Sequence, residues 1–242
     1  MLKVVRNGGG GGRWPASSDP AHPYYWRREP CVYESGIARP LGAPECRALV
    51  QRGDGSVALW LAEAPEVASW TPELLGDIAH RLGRAQAAPA PQDEWLSRGW
   101  LRAYLALHEV TDTEIVDRLD ALPQTLCHHD FHPANVIGPN ADVVVDWAYC
   151  GFGAFGLDAG VLVADGIADE AFPADLADEV SAAVWEGYLA GLRAGGWSGD
   201  EADVRYAYAQ GTAVRLSWLP SGEKPAWDAT IDFLQRLASN PR

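Results

Sequence analysis

From residue 71 to residue 238 the apolar residues recur at helical spacing in one stretch after another, and that pattern breaks once, near 126–160, into short strands and loops. A helical body interrupted in this way, and preceded by a strand-rich beginning, belongs to the mixed α/β class; no internal repeat is present. Thr71-Pro72 opens a helix whose Leu74, Leu75, Ile78 and Leu82 form one stripe, with Thr as the cap and Pro in the first turn. A second helix follows Pro91, carrying Trp95, Leu96, Trp100, Leu101, Tyr104 and Leu105. A third starts with the capping-box spacing of Thr111 and Glu114 and stops before Pro123. Three more cover roughly 173–194, 200–219 and 225–238, divided by Gly195-Gly196 and Pro220-Ser221-Gly222. Ahead of this body, Leu2 to Val5 reads as a strand and 26–37 as a short helix. Cys46–Val50 and Val57–Leu61 form a hairpin about Gly53-Asp54-Gly55. Gly8 to Gly12 reads as a flexible loop that matches neither GxGxxG nor a P-loop.

Composition narrows the function classes. With 48% hydrophobic and 21% charged residues in 242, the chain can bury a sizeable core. It has no long uncharged apolar run and no apolar signal segment at its start, so the reading expects a cytoplasmic protein that neither spans nor anchors to a membrane. The formal charge of −14 opposes a nucleic acid or an anionic membrane as partner. The imbalance is uneven: residues 1–60 hold eight bases against five acids, and the remainder is strongly acidic. Cys31, Cys46, Cys127 and Cys150 form no CxxC pair, so neither a zinc knuckle nor a redox couple is expected.

The interrupting segment carries the chemistry. It reads Leu126-Cys-His-His-Asp-Phe-His-Pro-Ala-Asn135, then Val143-Val-Val-Asp146-Trp147. His128, Asp130 and Asn135 have the HxDxxxxN spacing of a kinase catalytic loop, and Asp146 stands at the end of a Val-rich strand where a kinase places its magnesium carboxylate. Phosphoryl transfer explains the residue types. Asp130 would receive or orient the proton of an attacking hydroxyl, and Asn135 and Asp146 offer the hard oxygens that Mg²⁺ prefers. Two rivals use the same residues. One is a hydrolytic zinc or iron site of His128, His129, Asp130 and His132, although Pro133 takes His132 out of helical geometry and no third capping ligand is visible. The other is a hydrogen-bonded loop without catalysis.

At these residues the chain resembles the aminoglycoside phosphotransferase and choline kinase-like family, small-molecule kinases that share the protein-kinase fold. Cys127 to Asn135 resembles the family's HGDxHxxN segment, and Val145-Asp146-Trp147 its metal motif. Gly156-Leu157-Asp158-Ala159 is similar to the downstream turn whose Asp buttresses the loop, and Leu59-Trp60-Leu61 to the strand leading to the adenine hinge. Leu2-Lys3-Val4 resembles the strand with the phosphate lysine, and Arg28-Glu29 the start of the helix whose Glu pairs with it. The resemblance implies a bilobal fold with a small, incomplete β-rich lobe over 1–64 that binds nucleotide. A helical lobe over 65–242 would hold the catalytic loop and acceptor site.

It further implies ATP- and Mg²⁺-dependent transfer of the γ-phosphate to a hydroxyl of a small molecule, such as an aminoglycoside or amino alcohol. Asp130 and His128 would be catalytic, Lys3, Glu29, Asn135 and Asp146 would bind the nucleotide with Asn135 and Asp146 as metal ligands, and His132 and Asp158 would support the loop. Between residues 141 and 204 thirteen acids face a single base, Arg193, a field that would draw a cationic acceptor. The chain departs from the family in three places. The strands and phosphate-covering loop that precede the family's lysine are absent before Lys3, so the chain is expected to be N-terminally truncated with an unpaired sheet edge. His129 replaces a Gly, and the hinge reads Ala62-Glu63-Ala64 rather than Glu-Asp. From the missing loop comes a second reading, a catalytically impaired relative acting as a binding module.

Overall fold

The computed structural model describes residues 1–8, 16–110 and 113–239. Its strands and helices in chain order are β1 (Leu2–Val5), α1 (Arg28–Ser35), β2 (Cys46–Gln51), β3 (Val57–Leu61), α2 (Pro72–Gln86), α3 (Trp100–Leu107), α4 (Glu114–Ala121), β4 (Gln124–Cys127), β5 (Val136–Ile137), β6 (Val143–Val144), β7 (Gly151–Ala154), α5 (Leu157–Ala168), α6 (Ala177–Ala194), α7 (Glu201–Tyr206), α8 (Thr212–Arg215) and α9 (Pro225–Ser239).

The first three strands form an antiparallel sheet in the order β1-β3-β2. The β2–β3 turn is closed by Asp54, whose carboxylate accepts from both the backbone and the hydroxyl of Ser56, with Gly55 at φ +83°. Directly opposed residues share a face. Lys3 therefore lies on the face of its partner Leu59, which is fully buried, and not on the face of Leu2, Val4 and Trp60, which are exposed. Among the described residues β1 is an edge strand, as the sequence leads one to expect.

In the helical part, the Thr71 hydroxyl accepts from Leu74 N at 3.2 Å and starts α2 where the sequence places it. Helices α2 and α6 then run side by side with their backbones touching at glycines. A Cβ on Gly83 would stand 2.3 Å from the Tyr188 carbonyl oxygen, one on Gly187 2.2 Å from that of Gly76, and one on Gly191 2.1 Å from that of His80. This contact positions the site, because Gln86 at the end of α2 and Tyr188 in α6 both reach the segment that carries the chemistry.

Four details differ from the sequence reading. The helix expected after Pro91 begins only at Trp100, because Ser97 bridges to the β7 region: its N–H donates to Cys150 O at 3.1 Å and its carbonyl accepts from Phe152 N at 2.8 Å, with Gly99 left-handed behind it. The helix expected over 200–219 is split into α7 and α8 by a π-helical turn, Ala207–Gly211. Helix α5, buried on nearly every side, starts inside the stretch read as strands and loops. Thr111, and the Gly8–Gly12 loop beyond Gly8, lie outside the described residues. Among the described residues no helix is long and apolar enough to cross a membrane.

Gly191→Ala should destabilise the protein by about 1–3 kcal/mol, since the added methyl meets backbone that cannot yield without separating the helices. Gly53→Ala, where a Cβ meets nothing within 4 Å, should stay within ~0.5 kcal/mol. Urea unfolding of the two variants checks the contrast.

Candidate active site

The loop between β4 and β5 is fixed first through its backbone. Strand β4 pairs with β7, which seats Cys127 against Gly151, and the chain then turns through His129 at φ +67°. Asp158, in the first turn of α5 and 1% exposed, accepts the N–H of His128 at 2.8 Å and that of His129 at 3.0 Å. Its Oδ2 also accepts from Gln86 Nε2 at 3.0 Å. Gln86 is held in turn by the Tyr188 hydroxyl at 2.6 Å, and that hydroxyl accepts from Gly156 N at 3.0 Å. A left-handed conformation is strained for a residue with a Cβ. The His129 ring offsets this by stacking on Trp100 at 5.0 Å and donating from Nε2 to Phe152 O at 3.0 Å. Burial lowers the His129 pKa to about 3, so the ring is neutral. The replacement of glycine by His129 thus leaves the turn in place.

His128 is 1% exposed and both its ring nitrogens serve the backbone: Nδ1 accepts from Asp130 N at 3.2 Å and Nε2 donates to Val145 O at 2.9 Å. It ties the loop to the residue before Asp146. With the rings of His128 and His129 so engaged, the histidine cluster does not converge on a zinc or iron ion. Among the described residues no group of three or more His, Cys, Asp and Glu could hold a metal. That arrangement replaces the hydrolytic reading.

Asp130 opens toward solvent with its carboxylate gripped at both oxygens. Asn135 Nδ2 donates to Oδ2 at 3.1 Å and to the Asp130 carbonyl at 2.9 Å, and Arg215 Nη2 donates to Oδ1 at 3.1 Å. His132 Nε2 lies 3.7 Å from Oδ2, and its Nδ1 lies 3.1 Å from Asp169 Oδ2. Burial works to raise the Asp130 pKa, but the neighbouring His132 and the Arg215 charge outweigh it and hold the carboxyl below the usual range. Burial likewise opposes charge on His132, yet the two carboxylates raise its pKa to about 10.

On the opposite side of the site Asp146 adopts a left-handed conformation, φ +64°, which Asp tolerates better than most residues. Its Oδ1 accepts from Lys3 Nζ at 3.0 Å, and the same ammonium lies 2.7 Å from Glu29 Oε2. Burial disfavours the ammonium, but Glu29 and Asp146 outweigh that and raise the Lys3 pKa. The helix bearing Glu29 is anchored by its neighbour Arg28, fully buried, whose guanidinium donates to the carbonyls of Pro20, His22, Pro23, Trp95 and Ala148.

The structure therefore brings Lys3, Glu29 and Asp146 into one contact, and His128, Asp130, His132, Asn135 and Asp158 into another. Val145 N donates to Asn135 O at 2.9 Å and joins the two. Because Asn135 uses its amide NH₂ on Asp130, its Oδ1 remains available, and the Asp146 side chain is 47% exposed. Two hard oxygens of this kind, with room for phosphate oxygens and water, suit Mg²⁺. Sequence reasoning gave Gln86, Arg28, Asp165, Tyr188 and Arg215 no part in holding the site. The one available signal was an arginine set in an apolar stretch, Val214-Arg215-Leu216.

Known proteins can be compared with this arrangement. The sequence model of the phosphotransferase enzyme family, APH, matches residues 39–199, about two thirds of the chain. Among curated proteins none matches the sequence. Solved structures that it resembles include the amicoumacin kinase hAmiN in complex with AMP-PNP, Ca²⁺ and Ami, at 12% identity and TM-score 0.59 over 98% of this chain and 81% of that one. Another is the aminoglycoside phosphotransferase APH(3'')-Id of Streptomyces rimosus ATCC10970, at 14% identity and TM-score 0.52 over 90% and 83%. A choline/ethanolamine kinase family protein of Mesorhizobium loti aligns at 17% identity and TM-score 0.50 over 89% and 80%. At these identities the likeness is one of fold, and the fold is protein-kinase-like.

Asp158→Ala should lose about 3 kcal/mol or more, because it leaves two buried N–H groups and the Gln86 amide without an acceptor. For 242 residues that is a fall of ~6–12 °C in melting temperature by calorimetry. His132 makes a separate, pH-dependent contribution. Its folded pKa is raised, so its stabilisation is complete below about 6.5 and fades as pH rises toward about 10. Relative to His132→Gln, the wild-type chain should lose ~1–3 kcal/mol across that window in urea unfolding.

Proposed function

The chain belongs to the phosphotransferase enzyme family, and from the geometry of its site we propose that it transfers the γ-phosphoryl group of ATP to a hydroxyl of a small molecule. The observation that carries this reading is the Lys3 ammonium between Glu29 at 2.7 Å and Asp146 at 3.0 Å, two acids far apart in sequence that meet at the rim of the loop holding Asp130. A buried carboxylate on one side of a lysine orients the ammonium, and the exposed side is left for phosphate oxygens.

In this reading residues 1–64 take the nucleotide, and residues 65–242 supply the catalytic loop and the acceptor site. Asn135 and Asp146 would hold Mg²⁺, which when bound neutralises phosphate charge. Asp130 orients the acceptor hydroxyl and receives its proton as the new oxygen–phosphorus bond forms and the bond to the ADP oxygen breaks. Its low pKa fits late proton transfer, in keeping with a loose transition state that demands little base strength. His128, His132 and Asp158 hold the loop. The acceptor is a small hydroxyl compound, and the acidic surface over 141–204 favours a cationic one over any nucleic acid or anionic membrane. The Lys3–Glu29 pair and the Asp130–Asn135 contact, both formed, support catalysis over a binding-module role.

Thermal unfolding with a non-hydrolysable ATP analogue and Mg²⁺, together with ATP turnover, tests the proposal. Saturating analogue should raise the melting temperature by about 5–10 °C in a Mg²⁺-dependent manner, and Asp146→Ala should abolish that shift. Asp130→Asn should keep the shift and lose turnover by ~100-fold or more. Full turnover in Asp130→Asn, or no nucleotide shift in the wild type, overturns the reading.

A further inference from the structure

The carboxylate of Asp130 is held from a place in the chain that its loop motif does not announce. Arg215 is the last residue of α8, lies beyond the residues matched by the family model, and is 4% exposed. Its Nη2 donates to Asp130 Oδ1 at 3.1 Å and to Asp165 Oδ2 at 3.1 Å, and its Nη1 donates to the His129 carbonyl. The guanidinium carbon stands 5.0 Å from the Trp100 ring and 5.1 Å from that of Tyr104. One face thus rests on aromatic rings while the planar edge is directed at the loop.

Two features of the fold bring this about. Asp158 and Asp165 are seven residues apart in α5, two helical turns, and so project from one face. Asp158 takes the loop's backbone N–H groups directly, and Asp165 takes the loop through Arg215. Immediately before α8, the π-helical turn Ala207–Gly211 inserts an offset into what would otherwise be one continuous helix from α7 to α8. Such turns are enriched at functional sites because they shift the register of everything that follows.

The contrast with Arg28 separates a structural cation from this one. Arg28 is equally buried, but it is satisfied by backbone carbonyls alone. Arg215 is directed at the side chain of Asp130, which is 27% exposed and whose other oxygen already accepts from Asn135. With Oδ1 held by Arg215 and Oδ2 by Asn135, the carboxylate plane is fixed, and its remaining lone pairs are presented in one direction.

We propose that Arg215, oriented by Asp165, is a positioning residue for phosphoryl transfer: it fixes the Asp130 carboxylate in the orientation that receives the acceptor hydroxyl. The inference rests on the role given to Asp130 above. It makes the reactive geometry of the loop depend on the α5–α8 packing as well as on the loop's own sequence.

The probe is ATP hydrolysis by the full chain with Mg²⁺, water being the phosphoryl acceptor, so that no other acceptor is needed. Arg215→Met should lower kcat by ~100-fold while KM for ATP stays within about twofold, because Arg215 bonds to Asp130, Asp165 and the His129 carbonyl and to none of Lys3, Asn135 and Asp146. Guanidinium ion at millimolar concentration should restore at least ~10-fold of the loss, Arg215→Lys should fall between, and Asp165→Asn should lose ~10-fold. Wild-type kcat in Arg215→Met, or a loss that tracks the folded fraction by circular dichroism and ignores guanidinium, overturns the proposal. Should Arg215→Met not fold, Arg215→Lys and Asp165→Asn decide by the same split between kcat and KM. Crystal structures of the variants give a reading independent of turnover: an Asp130 rotamer unchanged from wild type refutes positioning, and a rotated or disordered one supports it. Asp130→Asn run in parallel keeps the two claims apart, since full hydrolysis there defeats the role of Asp130 whatever Arg215 does.

Discussion

A single buried carboxylate, that of Asp158, organises this molecule. It lies in the first turn of α5, where the helix dipole favours negative charge. It accepts from two consecutive backbone N–H groups of the loop and from the Gln86 amide. Burying a charge is tolerable only when its hydrogen bonds are met, and here they come from the loop after β4 and from α2 together. The support extends outward through Gln86 to Tyr188 and from Tyr188 to Gly156, which precedes α5, so the chain of contacts closes on itself. Displacing any one of α2, α5 or α6 therefore disturbs the loop. That explains why α2 and α6 touch at glycines: with larger side chains between them, Gln86 and Tyr188 could not meet at 2.6 Å.

Much of the architecture is legible in the sequence because local and tertiary preferences agree there. The Thr71 cap, the stripe of α2 and the Asp54 turn need no partner to be recognised. Elements shaped by distant contacts escape such reading. Residues 95–97 have helical spacing, but Ser97 finds backbone partners at Cys150 and Phe152 and leaves the helix. Helix α5 has almost no solvent-exposed face because the fold surrounds it, so it lacks the amphipathic period that would identify it.

The site divides in the same way. Asp130, Asn135 and Asp146 can be named from spacing, because a short loop and the strand after it bring them together. Lys3 and Glu29 required the likeness to known kinases, and the structure brings both to Asp146. Gln86, Tyr188, Asp165 and Arg215 come from four different helices, and apart from the apolar setting of Arg215 nothing local marks them. The ion pair between Arg215 and Asp130 joins residues 85 apart in the chain, and it becomes visible only once the π-helical turn before α8 has fixed the register.

The position of β1 at the sheet edge has a consequence for how the protein responds to warming. Among the described residues its four-residue ladder meets β3 alone, whereas the catalytic loop is embedded among packed helices. Free energies of local opening vary widely within one fold, and a short edge strand belongs to the least protected class. Lys3 would therefore detach from Glu29 and Asp146 in sub-global openings that leave the rest of the molecule native. Heat would disconnect the lysine at temperatures where a spectroscopic signal from the helices still reports an intact protein.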